Sequence, residues 1–361
     1  MTELSLHNDF PATDNRMGSA APETKDQKPY FSFGLIADIQ YANKSNGFSS
    51  WRTMRYYQQS LLHLQQAIEE WNGQHPLPSF VLQLGDIIDS YNKDVGTSEQ
   101  ALELVLRGIK KAKMLFHHIW GNHELYNFNR EFLRESKLNT SWMQDREQDK
   151  RSHDGKATNV DFYAYHFSPH SSFRFIIVDT YDLSVHGRSP SDPRCVKSWD
   201  LMNRFRNENS GSSAHMVTFN GGIGTEQLSW LNDILTYCDR HQEKVIMAGH
   251  APIHPRAKRS LCLAWNYKDI LRVIQSHQSV VCYFAGHDHD GGYYRDSHGI
   301  HHVTMQGVIE SQPDSNAFGT VDVFEDRMVL HGKGRVKSRV LLFPIGEEYH
   351  RLPPHLSKEA K

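Results

Sequence analysis

Long apolar runs are missing from this sequence. None of its 361 positions falls in an apolar stretch of the ~18 residues that a membrane-spanning helix needs. Cysteine is scarce. The 4 residues, Cys195, Cys238, Cys262 and Cys282, sit at neither zinc-binding nor redox-pair spacing, which points to reduced thiols in a reducing compartment. Neither sign of charge dominates: 40 Lys+Arg against 42 Asp+Glu leave a net charge of -2. That balance offers no basic surface for nucleic acid and no acidic solvating tail. The first 28 residues lack the apolar centre of a secretory leader. They are polar and broken by Pro11 and Pro22, and read as a disordered segment. A soluble cytoplasmic protein with neither membrane nor nucleic-acid partners is expected from these absences; a monomer is the expectation too, though the sequence leaves oligomeric state open.

What is present is an ordinary globular composition, 38% hydrophobic and 23% charged, on a chain long enough for a large core. The expected organisation is one domain over 29–350, with a surface insertion at 181–224 and a tail at 351–361. Histidine is plentiful at 23 residues, so only histidines with informative neighbours carry weight.

The most telling stretch is Val81-Leu82-Gln83-Leu84-Gly85-Asp86, an apolar run ending in Gly-Asp. It reads as a buried strand entering a turn, with its carboxylate at the carboxyl edge of a sheet, where α/β proteins bind ligands. By itself such an aspartate is as easily a turn cap. Four other stretches end alike. A strand from Tyr30 closes on Asp38-x-Gln40. Leu115–Trp120 closes on Gly121-Asn122-His123-Glu124, Lys244–Ala248 on Gly249-His250, and Val280–Ala285 on Gly286-His287-x-His289.

Between them the apolar periodicity predicts helices over 51–71, 97–113, 225–240 and 266–277. Their expected caps are Ser49-Ser50, a Thr97–Gln100 capping box, Thr225 and Asn266. Phe162–Phe167 and Phe173–Asp179 read as an antiparallel pair. Short alternating strands after residue 292 read as hairpins. The order implies α/β architecture, with early βαβ units giving way to meanders.

Carboxylate, amide and imidazole donors together suit a borderline-hard divalent ion, manganese best, with magnesium, iron or zinc open. No cysteine is among them, which argues against a structural zinc site. Seven side chains, Asp38, Gln40, Asp86, Asn122, His250, His287 and His289, exceed the needs of one tetrahedral ion. Two ions sharing the Asp86 carboxylate would use them all. His287 and His289, alternating on an extended segment, would face different ions.

The five motifs, in this order from Asp38 to His289, resemble the signatures of the calcineurin-like metallophosphoesterases. That family usually carries Asp-x-His at its first motif. Gln40 departs from it and resembles the manganese-dependent branch acting on ADP-ribose and CDP-alcohols. The resemblance implies a four-layer sandwich of two mixed β-sheets flanked by helices. It further implies Asp38, Gln40, Asp86 and His289 around one ion, and Asp86, Asn122, His250 and His287 around the other. His123 would sit beside the substrate phosphate as the catalytic histidine. Asp89 would orient groups behind the ligands, and Glu124 would support its loop. The implied reaction is hydrolysis of the diphosphate bond in ADP-ribose or in CDP-alcohols such as CDP-choline, by hydroxide held between the ions.

Substrate contacts are expected from the 181–224 insertion and the 254–265 loop, whose Arg256, Lys258, Arg259, Cys262 and Trp265 offer cations and an aromatic surface. A solvated charged face is the equally weighted alternative for those cations. The motifs leave open a phosphomonoesterase or a cyclic-nucleotide phosphodiesterase, because fold and metals are shared. A metal-poor binding scaffold is the third reading.

Overall fold

A computed structural model describes residues 27–50, 52–144, 162–208, 214–258 and 261–344, and the side chains of 205–208 are not described. The expected disordered N-terminus up to residue 26, the tail at 351–361 and Arg259 lie outside the described residues. Two six-stranded sheets form the centre.

The first sheet has the order β14-β13-β12-β1-β4-β5, made from Arg339–Leu342, Arg327–Gly334, Ala317–Val323, Phe31–Ile36, Phe80–Gln83 and Leu115–His118. Its β1–β4 and β4–β5 pairs are parallel, while β12, β13 and β14 form an antiparallel meander against β1. The second sheet has the order β10-β11-β9-β8-β7-β6, from Gly292–Arg295, His301–Thr304, Val280–Ala285, Lys244–Ala248, Phe173–Ile177 and Tyr165–His170. Here β7, β8, β9 and β11 run parallel and the two outer pairs are antiparallel.

The sheets pack face to face through phenylalanine. Phe33 of β1 meets Phe175 of β7 edge-on at 5.2 Å between ring centroids and Phe284 of β9 at 6.0 Å. Phe80 of β4 meets Phe175 at 5.1 Å. Each such pair contributes about 0.5–1.5 kcal/mol beyond its buried area. The period of two then sends alternate β7 residues outward. Phe175 and Ile177 face the first sheet, while Ile176 packs with Leu231, Leu235, Ile270 and Ile274. Those four come from the helices Thr225–His241 and Tyr267–Gln275. The helices Gln59–Gly73 and Ser98–Ile109 pack on the other side, so the layers run helix, sheet, sheet, helix as expected.

Helix ends correct the sequence reading. The first helix begins at Gln59 rather than 51, because Gly47–Phe48 (β2) and Met54–Arg55 (β3) pair as a small hairpin. Met54 therefore sits in a strand and Leu62 is exposed. No capping box forms at Thr97, whose hydroxyl turns back to Asn92 O and Oδ1. Gly224 occupies the cap position ahead of Thr225. Asn266 spends its side chain on Ile223 N–H and C=O, tying two loops instead of closing a helix turn. Among the described residues no helix is long and apolar enough to cross a membrane.

Candidate metal centre

All five motifs lie where parallel strands end, and the backbone is strained in three of their loops. Among the described residues six non-glycines have positive φ, and four of them are Asp38, Gln40, Asp86 and His287, at 51, 44, 56 and 69°. Such backbone persists only where surrounding contacts over-determine it. Those contacts are visible. Gln40 N–H donates to Asp86 O at 2.9 Å, Gly286 N–H to His250 O at 3.0 Å, and Ile309 N–H to Asp38 O at 3.0 Å. Gly85, at φ 99°, lies so close to His250 that a Cβ would come within 2.5 Å of Nδ1, and a Cβ on Gly121 would run into Asp86 Oδ1. Only glycine fits either approach.

Asp86, His250 and His287 form the densest cluster, one donor atom of each lying within 4.8 Å of the others. His250 Nδ1 hydrogen-bonds Leu84 O at 2.7 Å, which leaves Nε2 facing Asp86 Oδ2 at 3.2 Å. His287 Nε2 meets Asn220 Oδ1 at 2.7 Å, leaving Nδ1 as its other ring nitrogen. Asn122 Oδ1 accepts from Tyr181 OH at 3.1 Å. On the other side His289 Nε2 is 3.5 Å from Asp38 Oδ1 and 3.1 Å from Gln40 Nε2, while its Nδ1 meets Glu310 Oε1 at 2.9 Å. The two motif histidines do separate to opposite sides. The cause is the left-handed turn at His287, not the extended segment expected from sequence.

Two buried acceptors here have no hydrogen-bond partner: Gln40 Oε1 and His250 Nε2. Orphaned acceptors beside buried carboxylates are costly unless a cation satisfies them. The electrostatics of the cluster point the same way. Burial would raise the Asp86 carboxyl, but His250 and then His123 outweigh it and hold it far below the usual range. Burial also opposes protonation of His250 and His289. Asp86 beside the former, and Asp38 and Glu310 beside the latter, nevertheless raise each to about 9. The cluster attracts positive charge, and divalent cations fit the place those protons take.

Glu124 does more than support its own loop. Its carboxylate accepts Gly121 N–H at 2.6 Å, Asp86 N–H at 2.8 Å and Ile87 N–H at 2.6 Å, clamping two motif loops together. Burial, then the Asp86 charge, push it up to about 7. His123 is the second residue of the short helix Asn122–Asn127, and its Nδ1 accepts Ser90 N–H at 2.9 Å. A neutral ring so held carries its proton on Nε2. Among the described residues the Asp89 carboxylate reaches none of the seven expected ligand side chains; it meets Tyr91 N–H at 2.9 Å, Arg55 at 3.5 Å and His123 Nδ1 at 3.6 Å.

A cavity of about 380 Å³ opens over the cluster, lined by Gln40, Asp86, Asn122, His123, His287 and His289 together with Arg55, Tyr126, Phe219 and Cys262. Of the two stretches expected to contact substrate, the 181–224 stretch reaches it through Phe219 and the 254–265 loop through Cys262, while among the described residues Arg256, Lys258 and Trp265 do not line it. Trp265 is buried against Leu183, Met202 and Met216 with its Nε1 on Val217 O, and Arg256 stacks on Tyr294. The 181–224 stretch is not simply a surface insertion. It carries the helix Pro193–Glu208, and its ends bring buried Tyr181 and Asn220 to the centre. Tyr181, Asn220, Glu310 and Arg55 were all missed from sequence. Only Asn220 carries a signal in the sequence, an Asn-Gly-Gly turn inside the expected surface insertion.

A four-layer sandwich with buried carboxylate, amide and imidazole donors on its parallel-strand ends defines a metal-dependent phosphoesterase. Residues 31–291 match the calcineurin-like phosphoesterase family, and the chain belongs to it. A Mus musculus protein named manganese-dependent ADP-ribose/CDP-alcohol diphosphatase is 51% identical over 321 residues, which cover 87% of this chain and 94% of that protein. The Homo sapiens protein of the same name is 50% identical over 327 residues, covering 89% and 95%. The crystal structure of a dimetal phosphatase from Danio rerio, 41% identical, superposes with a TM-score of 0.79 over 88% of this chain and 100% of that one.

Proposed function

We propose that this chain is a manganese-dependent diphosphatase of small nucleoside diphosphate conjugates. It cleaves ADP-ribose to AMP and ribose 5-phosphate, and CDP-alcohols such as CDP-choline to CMP and the phosphoalcohol. The hydrolase chemistry rests on the buried cluster around the Asp86 carboxylate, which Gln40 Nε2 meets at 3.1 Å and His250 Nε2 at 3.2 Å, while Gln40 Oε1 beside it is buried without a partner. The substrate class is supported by relatives of that name at half identity over nearly their whole length.

On this reading Asp38, Gln40, Asp86 and His289 hold one divalent ion, and Asp86, Asn122, His250 and His287 hold the other. When bound, such a pair supplies positive charge for the phosphoryl oxygens and a nucleophile active at neutral pH. The protein's own groups do the rest. Tyr181, Asn220 and Glu310 fix the orientations of Asn122, His287 and His289. Ser90 holds the His123 ring with its Nε2 proton available to a phosphoryl oxygen. The departing group is a phosphate ester whose last ionisation lies near pH ~6, so it needs little protonation. His123 therefore acts mainly as a charge stabiliser.

The test is AMP release from ADP-ribose by the full chain with manganese, run beside p-nitrophenyl phosphate and a cyclic nucleotide. A kcat/KM for ADP-ribose well above the other two is the expected result. Preference for the monoester or the cyclic nucleotide overturns the substrate assignment.

A further inference from the structure

Among the described residues, Arg55 is the one Lys or Arg lining the cavity over the metal centre. We propose that Arg55 binds the second, non-reacting phosphoryl group of the substrate and thereby selects diphosphates over phosphomonoesters. The inference rests on the diphosphatase reading and names the residue that recognises its substrate class.

Arg55 sits on β3 of the small hairpin, whose next residue, Tyr56, is tied by its N–H to Ile309 O at 2.8 Å. That contact anchors the hairpin to the segment carrying Glu310. The side chain is 18% exposed, and its Nε is buried without a hydrogen-bond partner. Its ion pair among the described residues, to Asp89 Oδ2 at 3.5 Å, is long. A guanidinium presents a planar fork of donors, suited to two oxygens of one phosphoryl group. Here part of that fork is unsatisfied and held at the cavity wall.

Position completes the argument. Asp89 Oδ2 lies 3.5 Å from Arg55 and 3.6 Å from His123 Nδ1, so one carboxylate sets both groups side by side. His123 is assigned to the phosphoryl group under attack. In a diphosphate the neighbouring phosphoryl is a single bridging oxygen away, within reach of the group beside His123. Asp288, Asp290 and Glu310 also line the wall and repel a second phosphoryl group, and Arg55 is the Lys or Arg there that offsets them. A phosphomonoester has no second phosphoryl and gains nothing from Arg55.

Arg55→Ala and Arg55→Lys, each with manganese, are compared with the parent chain on ADP-ribose and on p-nitrophenyl phosphate. With Arg55→Ala the ratio of the two kcat/KM values should shift at least ~30-fold against ADP-ribose, and Arg55→Lys should recover part of it. Inhibition of p-nitrophenyl phosphate cleavage by inorganic pyrophosphate should weaken with Arg55→Ala more than inhibition by inorganic phosphate. This second measurement does not depend on ADP-ribose being a substrate. An equal fall on both substrates, with pyrophosphate and phosphate inhibition changing alike, would show that Arg55 acts only through Asp89 and His123, and overturns the proposal. If the parent chain ignores ADP-ribose while pyrophosphate inhibition still depends on Arg55, the diphosphatase reading fails and the phosphoryl subsite stands. If Arg55→Ala does not fold, the ratio and the inhibition are read from Arg55→Lys, where an unchanged ratio overturns the proposal.

Discussion

The two halves of the metal centre are held by different means. Around Asp86 each donor leans on a neutral partner: His250 on Leu84 O, His287 on Asn220 Oδ1, Asn122 on Tyr181 OH. Around Asp38 the support is charged. His289 leans on the Glu310 carboxylate, which in turn lies 3.8 Å from Arg335. Each half has one amide, Gln40 here and Asn122 there, but the charged half has a single imidazole, His289, where the other has His250 and His287. A carboxylate behind an imidazole raises its basicity and fixes its ring. Glu310 thus offsets at His289 what Gln40 lacks. The comparison teaches that a motif substitution is read together with what stands behind its neighbours.

Removing what the halves share should have the largest effect. With Asp86→Ala, activity should fall about 10³-fold or more, and metal content should fall by both ions. Metal analysis beside manganese-supported turnover checks this, and near-normal turnover would remove Asp86 from the bridging position. His123→Ala is next. It should cost about 10²-fold in rate and leave both ions in place, because His123 stands outside both ligand sets. Loss of metal in this variant would make His123 a ligand and redraw the boundary between the halves.

The Asp86 half was largely legible in the sequence. Its donors follow apolar strands across a glycine, and the strands Lys244–Ala248 and Val280–Ala285 were readable to the residue. The layers too followed from the alternation of strands and helices. The partners that hold the donors were not legible. Tyr181 and Asn220 flank an irregular stretch, and Glu310 closes the one-turn 3-10 helix Val308–Glu310, 21 residues beyond His289. No periodicity marks such positions, because only tertiary packing brings them to the site. Arg55 was hidden for a related reason. The apolar pattern around residues 51–58 passed for helix, whereas hairpin pairing set the local structure. Caps failed where a polar side chain found a better long-range partner, as at Asn266.

Glu310→Gln separates the halves directly. The amide keeps the shape but loses the charge behind His289. Manganese affinity at the Asp38 half should weaken 10–100-fold, the usual cost of an outer partner. Calorimetric titration of metal-stripped protein should show one binding step moved and the other unchanged. Two steps moving together would mean that the halves are not independently supported.

Gln40→His is the subtlest change and sharpens the comparison most. Gln40 already touches both halves, with Nε2 at 3.1 Å from Asp86 Oδ2 and from His289 Nε2. Its Oε1 is buried without a hydrogen-bond partner, which leaves it free to act as a donor to a cation. An amide oxygen suits manganese or magnesium, whereas imidazole also suits zinc and iron. The amide should therefore leave the Asp38-half ion exchangeable, so that activity depends on added manganese and fades on dialysis. Gln40→His should tighten that ion by roughly tenfold and relax the preference for manganese. With Glu310 still behind His289, the gain should be modest. In the Glu310→Gln background it should be larger, because the imidazole then supplies what the carboxylate no longer does. Manganese and zinc titrations of the single and double variants, followed by ADP-ribose cleavage, measure that coupling. Identical half-saturation in the parent and Gln40→His chains would place Gln40 outside the ligand set, and the difference between the halves would then rest on Glu310 alone.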